Sequence, residues 1–253
     1  MSLPTARLLL RDLRIRADGN PTPLVDVRSL DLSPGTLVAL VGASGAGKSL
    51  LGRALVGQVH VSPGITTGTL QVGETPPRPL RGPPLTPVAP EQLSWACQHG
   101  RDALLPWWTV ARQLRHASAP AALLSALGLE PHATLDKYPH ELSGGMAQRV
   151  HLAIVQADDP PWLVADEVTT GLDASAAVWV LRQLRARCDR GRGVLLISHD
   201  LDLVSTFADE VVVMDEGQVV AQGPASAWNT LDHPAARRLA VAAQRLRVGR
   251  EHP

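Results

Sequence analysis

The sequence predicts an α/β fold with a mainly parallel sheet, and three observations predict it. A short apolar run, Leu37 to Val41, leads into a glycine-rich turn and then a helical start at Lys48-Ser49. Further apolar runs, Trp162–Ala165 and GVLLISH at 193–199, alternate with helix-patterned stretches. Hydrophobic residues make up 45% of the 253, enough for helices to cover both faces of such a sheet. In that architecture ligands sit at the carboxyl ends of the strands.

Taken in order, residues 7–17 (RLLLRDLRIRA) and 24–33 (LVDVRSLDLS) alternate as strands, with Asp18-Gly19-Asn20, Pro21 and Pro23 turning the chain between them. Together they begin an antiparallel β subdomain. After the strand at 37–41, a helix is expected from Ser49 to about Val59, and TGTLQVG (67–73) reads as a short strand. Prolines at 76, 77, 79, 83, 84, 87 and 90 make 75–90 a surface connection, since neither a helix nor a central strand tolerates that density. Leu93–Cys97 is a strand leading to Gln98. From Gln98 to Ala157 the pattern is helical with turns: VARQLRHA, AALLSALGL, and a helix capped by Ser143. The strand 162–165 is followed by a helix from Ala174 to about Cys188, the strand 193–199, a helix around Leu201–Ala208, and a hairpin (210–223) turning at Asp215-Glu216-Gly217.

Bulk composition narrows the function. A formal net charge of +0 argues against a nucleic-acid surface spread over the protein, and no nucleic acid is expected as partner. Cys97 and Cys188 are far apart without a C-x-x-C, so they read as ordinary thiols rather than a disulfide or metal site. No run approaches a membrane span and no signal pattern opens the chain, so a cytoplasmic protein is expected, reaching a membrane only through partners. No internal repeat or second phosphate loop is found.

The turn matches G-x-x-x-x-G-K-[ST]: Gly42, Ala43, Ser44, Gly45, Ala46, Gly47, Lys48, Ser49, with Leu50 following. Glycines let the backbone curl so that several N–H groups face one phosphate chain, and the helix adds its positive end. Lys48 reaches the β- and γ-phosphates and the Ser49 hydroxyl is a Mg²⁺ ligand. The alternative is a flexible loop that happens to hold three glycines; strand and helix on either side favour the nucleotide. Asp166, ending the strand LVAD, is placed to hold Mg²⁺, and Glu167 to polarise the water attacking the γ-phosphate. Alone, such a pair reads more readily as a solvated strand cap; behind an intact phosphate loop the functional reading wins.

LSGGM at 142–146, with Gln148 and Arg149 after it and 23 residues from Ser143 to Asp166, resembles the signature motif of ATP-binding cassette (ABC) ATPases. In that resemblance Leu142, Ser143, Gly144, Gly145, Met146 and Gln148 serve the partner's nucleotide, since glycines at a helix start form a second phosphate cradle. Gln98 resembles the Q-loop glutamine, a Mg²⁺ sensor and ATP contact. Gly171-Leu172-Asp173 resembles the D-loop, and His199 the switch histidine at the γ-phosphate. The resemblance spans about residues 5 to 230 and implies a P-loop NTPase core with an inserted α-helical subdomain. One ABC ATPase domain would then fill 1–253: core at 1–97 and 158–230, helical subdomain at 98–157, and a tail at 231–253. ATP and Mg²⁺ are the implied cofactors.

Within the family, LSGGM-AQRV, ADE-x-TT-GLD and His233-Pro234 in the tail look like the peptide/nickel importer branch. The implied partners are membrane permease subunits, a second ABC ATPase subunit (identical or not) and, indirectly, an extracytoplasmic solute-binding protein. The implied location is the cytoplasmic face of the cell membrane. A soluble ABC ATPase unconnected to transport is the alternative, and a non-hydrolysing module is disfavoured by Lys48, Asp166, Glu167 and His199. Three departures stand out: Val168 where a proline usually follows the glutamate, the proline-rich 75–90, and no aromatic residue before Trp95 to stack on adenine. Arg16 is the local substitute, either stacked on the base or a solvated strand residue. Trp107 and Trp108 are read either as a permease-docking pair or as packing within the helical part.

Overall fold

The computed structural model describes residues 6–80, 92–157 and 159–241. The chain begins with β1 (Leu8–Ala17) and β2 (Val25–Leu32), runs through β3 (Leu37–Gly42) into helix α1 (Lys48–Leu55), and returns as β4 (Pro63–Val72) and the two-residue β5 (Arg78–Pro79). These make two sheets. One is four-stranded and antiparallel, in the order β2-β1-β4-β5. Its strands alternate as the pleat requires: Leu8, Leu10, Leu13 and Ile15 of β1 are buried, with Val25, Val27, Leu30 and Leu32 opposite. The β1–β4 register slips between Arg11 and Arg14, where Asp12 takes φ +49°, the mark of a bulge.

β6 (Leu93–Ala96) opens the second half. After it come only helices: α2 (Val110–Gln113), α3 (Pro120–Ala126), α4 (Pro131–Leu135) and the long α5 (Gly144–Gln156), with 3-10 turns at Gly100–Ala103 and Pro139–Glu141. Then β7 (Trp162–Asp166), α6 (Ala174–Asp189), β8 (Gly193–Ile197), α7 (Leu201–Phe207), β9 (Glu210–Asp215) and β10 (Gln218–Pro224) complete the order, and residues 234–241 are helical. The second sheet runs β10-β9-β3-β8-β7-β6; every pairing is parallel except the β9–β10 hairpin. This is the mainly parallel α/β sheet expected from the alternation.

Side chains of β3 divide between its two faces. Val38 and Leu40 pack toward the antiparallel sheet and α1, in one core with Leu195, Ile197 and Val212. Ala39 and Val41 face α7 and Trp228. Leu163, Ala165, Val194 and Leu196 carry the helices of 100–156 and α6. β3 is thus buried on both sides, and its carboxyl end is held by β8 and β9. Two glycines bring layers close: a Cβ at Gly52 would lie 2.5 Å from the Trp95 ring, and one at Gly193 2.5 Å from Trp162.

Some boundaries differ from expectation. α1 stops at Leu55 instead of running to Val59, because Gly57 takes φ +75° and the N–H groups of Gly57 and Gln58 turn back onto Ala54 and Arg53. VARQLRHA is helical only to Gln113, and α4 was not foreseen. β4 begins at Pro63, four residues before the expected start. Pro79 is found where a sheet admits proline, on the edge strand β5; residues 81–90 of the proline-rich stretch lie outside the described residues.

Candidate functional site

Each residue of the phosphate loop can be traced to a local constraint. Gly42 leaves β3 where a Cβ would meet the Met214 carbonyl oxygen at 2.3 Å. Gly47 takes φ +96° at the start of α1, a conformation that favours glycine. No side chain caps α1, so its first N–H groups are left for a ligand. Ala43, Ser44 and Gly45 form the exposed crest, while Ala46 is buried and bonds back through its N–H to Ala43. Leu50 lies on α1 beside the loop. A cleft of about 580 Å³ opens over these residues, lined by Leu24, Lys48, Ser49, Leu50, Glu167 and His199 together with the loop glycines.

Lys48 is buried and its ammonium donates to the carbonyls of Gly42 (3.0 Å) and Ala43 (2.9 Å). Burial lowers its pKa, and the carboxylates of Glu167 and Asp166 oppose that. The Ser49 hydroxyl donates to Asp166 Oδ1 at 3.1 Å, joining α1 to the end of β7. Burial raises the Asp166 pKa, the Ser49 hydrogen bond lowers it, and the charge of Glu167 adds to the rise. A hydroxyl and a carboxylate oxygen at one point are the hard donors Mg²⁺ takes, and a cation there would offset the burial and the Glu167 charge that raise Asp166. The residues therefore fit the metal, with Gln98 next to them.

Glu167 leaves β7 at φ +49°, a left-handed conformation costing about 1–3 kcal/mol in a non-glycine residue. Its N–H donates to the Ile197 carbonyl, which holds that conformation. The carboxylate accepts from Gln98 Nε2 at 3.0 Å and Thr170 Oγ1 at 3.4 Å, and lies 3.5 Å from His199 Nδ1. His199 is 66% exposed, so its ring faces the open side of the cleft. Val168, where proline was expected, is fully buried.

The remaining expected residues lie elsewhere. Ser143 caps α5, accepting from the Met146 N–H at 3.2 Å, and Gly144 faces open space. Leu142 is buried and Gly145 packs near Leu172. None of 142–148 lines the cleft. Gln148, expected toward the partner's nucleotide, has a buried amide that accepts from the Gly100 N–H at 2.6 Å and donates to the Cys97 carbonyl at 3.0 Å. Asp173 caps α6 from a fully exposed position; hydrogen bonds from Ser175 and the Ala176 N–H lower its pKa. Arg16 donates to the Pro21 carbonyl at 3.3 Å and is not among the cleft residues. Trp107 is 74% exposed, whereas Trp108 lies under Arg112 and Arg115 at 4.3 and 4.6 Å.

Three contributors were not anticipated. Leu24 lines the cleft before β2, Thr170 holds Glu167, and His151 accepts from the Cys97 N–H at 3.2 Å. Thr170 had a local signal, three residues beyond Glu167 in a turn. The other two had none.

Comparison with known proteins agrees with this geometry. The family described as "ABC transporter" matches residues 25–170, more than half of the chain. The chain is 35% identical over 221 residues to the oligopeptide transport ATP-binding protein OppD of Mycobacterium tuberculosis, covering 81% of this chain and 36% of that one. It is 35% identical to the peptidoglycan transport ATP-binding protein YejF of Agrobacterium fabrum (85% of this chain, 43% of that one). With the oligopeptide transport ATP-binding protein AppD of Bacillus subtilis it shares 34% (79% and 66%). The chain thus spans less than half the length of OppD or YejF. Among solved structures, the ATP-binding cassette MJ0796, a post-hydrolysis dimer bound to ADP and Pi, superposes with a TM-score of 0.72 at 18% identity, covering 86% of this chain and 98% of that one. A bacterial Atm1-family ABC exporter with ATP bound gives 0.76 at 22%, covering 94% and 42%. These share the fold. By the match over residues 25–170, this chain belongs to the ABC transporter family.

Proposed function

We propose that the chain is the ATP-binding and ATP-hydrolysing subunit of an importer, driving uptake of peptides through separate permease subunits. The observation that carries it is the convergence of Lys48, Ser49, Asp166, Glu167 and Gln98 from three segments: Lys48, Ser49 and Glu167 line the cleft, and Ser49–Asp166 and Gln98–Glu167 hydrogen bonds tie the other two to it. Names of the relatives support peptide as the cargo class; nickel or metal–chelator complexes, carried within the same branch, are the second choice.

In this reading the loop N–H groups and Lys48 bind the phosphates, Lys48 exchanging the carbonyls of Gly42 and Ala43 for phosphate oxygens. Ser49, Asp166 and Gln98 would hold Mg²⁺, which neutralises charge on the phosphates when bound. Glu167 accepts a hydrogen bond from the attacking water as its oxygen bonds to the γ-phosphorus and the bond to ADP breaks. His199 reaches the γ-phosphate from the open side. The signature residues Leu142 to Met146, outside the cleft and exposed at Ser143 and Gly144, serve the nucleotide of a second ATPase subunit, with Asp173 at the same interface. Helices of 98–157 form the arm that meets the permease, and Trp107 is its apolar contact. No helix among the described residues is long and apolar enough to cross a membrane, in keeping with a peripheral subunit at the cytoplasmic face.

Replacing Glu167 by Gln tests this. ATP binding is expected to persist, turnover to fall at least about 100-fold, and an ATP-bound dimer to accumulate under light scattering. A monomer with wild-type turnover overturns the assignment.

A further inference from the structure

Where β6 ends, the chain must carry Gln98 out toward Glu167 without a strand partner. The backbone on either side of it is nevertheless held by the signature helix. The Cys97 N–H donates to His151 Nε2 (3.2 Å), the Cys97 carbonyl accepts from Gln148 Nε2 (3.0 Å), and the Gly100 N–H donates to Gln148 Oε1 (2.6 Å). Gln148 and His151 are three residues apart on α5 and so share one face. Arg101 adds a hydrogen bond to the carbonyl of Leu142, the first residue of the signature motif. The fit is close: a Cβ on Gly100 would lie 2.6 Å from Gln148 Oε1 and 2.7 Å from Gln148 Cα. Both helix side chains are buried.

We infer that Gln148 and His151 are positioning residues, a clamp that makes Gln98, and through its 3.0 Å hydrogen bond Glu167, follow the signature helix rather than the sheet. The inference rests on the ATPase reading above. When the cradle at the N-terminus of α5 engages a nucleotide, displacement of the helix is carried by three backbone hydrogen bonds to the amide that holds Glu167. Gln148 reads its segment at both the carbonyl and the N–H, so the segment cannot slide along the helix without breaking one bond. His151 supplies only an acceptor, which its neutral imidazole provides.

Two readouts test the clamp. Cys97 is partly exposed and Cys188 buried, so thiol labelling by a maleimide, mapped by mass spectrometry, reports release of the 97–100 segment. Because Cys97 Sγ also lies 3.6 Å from His151 Nε2, Gly100→Ala, which leaves that ring in place, is the variant in which labelling reads release alone. His151→Leu and Gly100→Ala are expected to label at Cys97 at least tenfold faster and to lose at least tenfold in kcat, with ATP affinity within threefold of wild type. His151→Gln, which keeps an acceptor near the Nε2 position, is expected to restore both, an outcome that bulk packing would not produce. Unchanged labelling and kcat in the folded Leu and Ala variants overturns the clamp. So does a Gln variant as impaired as the Leu variant. If His151→Leu does not fold, the comparison of Gly100→Ala with His151→Gln decides alone. A wild-type chain without ATP turnover would sink the hydrolysis reading and leave the labelling ratios to decide the clamp.

Discussion

Two helices in this chain begin at glycines, and their N-termini are finished differently. α1 starts at Gly47 with no side-chain cap, beside the buried Lys48 and inside a cleft walled by Glu167 and His199. α5 starts at Ser143, whose hydroxyl caps the Met146 N–H, and its Gly144 looks into open space. The first is a deep site whose donors and counter-charges all come from one chain. The second offers its N–H groups on an exposed surface outside that cleft. Similar glycine signatures therefore correspond to two local geometries, one walled into a cleft and one open to solvent.

Lys48→Ala would break the first site most severely. Removing the buried cation should weaken ATP binding roughly 100-fold, about 3 kcal/mol, in a nucleotide titration. Gly144→Asp addresses the second. A side chain fits there without a clash, so the fold should survive and ATP affinity stay within about threefold. Turnover should fall some tenfold or more, because a carboxylate would then face the incoming phosphates. Equal losses of affinity in both variants would erase the distinction between the sites.

A smaller effect concerns the helix that carries the second of them. Burial pushes the His151 pKa from 6.5 down to about 4, so the folded protein keeps it neutral while the unfolded chain charges it earlier. Its contribution is thus fully present above pH 6.5 and lost as pH falls toward 4. Between pH 7 and pH 5 this residue alone should cost about 2 kcal/mol of stability, and denaturant titrations of wild type and His151→Gln at both values would measure it.

The smallest expected difference lies at the base end of the cleft. Leu24 stands there and Arg16 is engaged by Pro21. Binding then rests on the phosphates, so ATP and GTP should bind within roughly tenfold of each other, under about 1.4 kcal/mol, and Arg16→Ala should leave both unchanged. A hundredfold preference for ATP would mean that adenine is read by a contact outside this description.

The contrast between the two helix starts also explains what could be read in advance. The phosphate loop was legible because its geometry is settled within eight consecutive residues, each of a type demanded by backbone curvature or charge. Strands β3, β7 and β8 were legible as continuous apolar runs. Helix ends were less so, since a single residue such as Gly57 decides them through its φ angle. Contacts across the chain were not legible by periodicity at all: Ser49 meets Asp166 and Gln148 meets Cys97 only after folding. The phosphate-loop motif and the strand-end carboxylate named both members of the first pair, while the Gln148 contacts had no signal, because a motif records which residues recur and not which way each one points.

The seat of α1 against the sheet has an optical consequence. Gly52 lets the helix rest directly on the Trp95 indole, one turn beyond the residues that would grip phosphate. Any tilt of the helix on filling the cleft changes the packing around that ring, and its emission should shift with it. Trp107, out in solvent, should emit as a constant red-edge background. Because the chain has six tryptophans, comparison with Trp95→Phe would isolate the Trp95 signal, and binding could then be followed without a label.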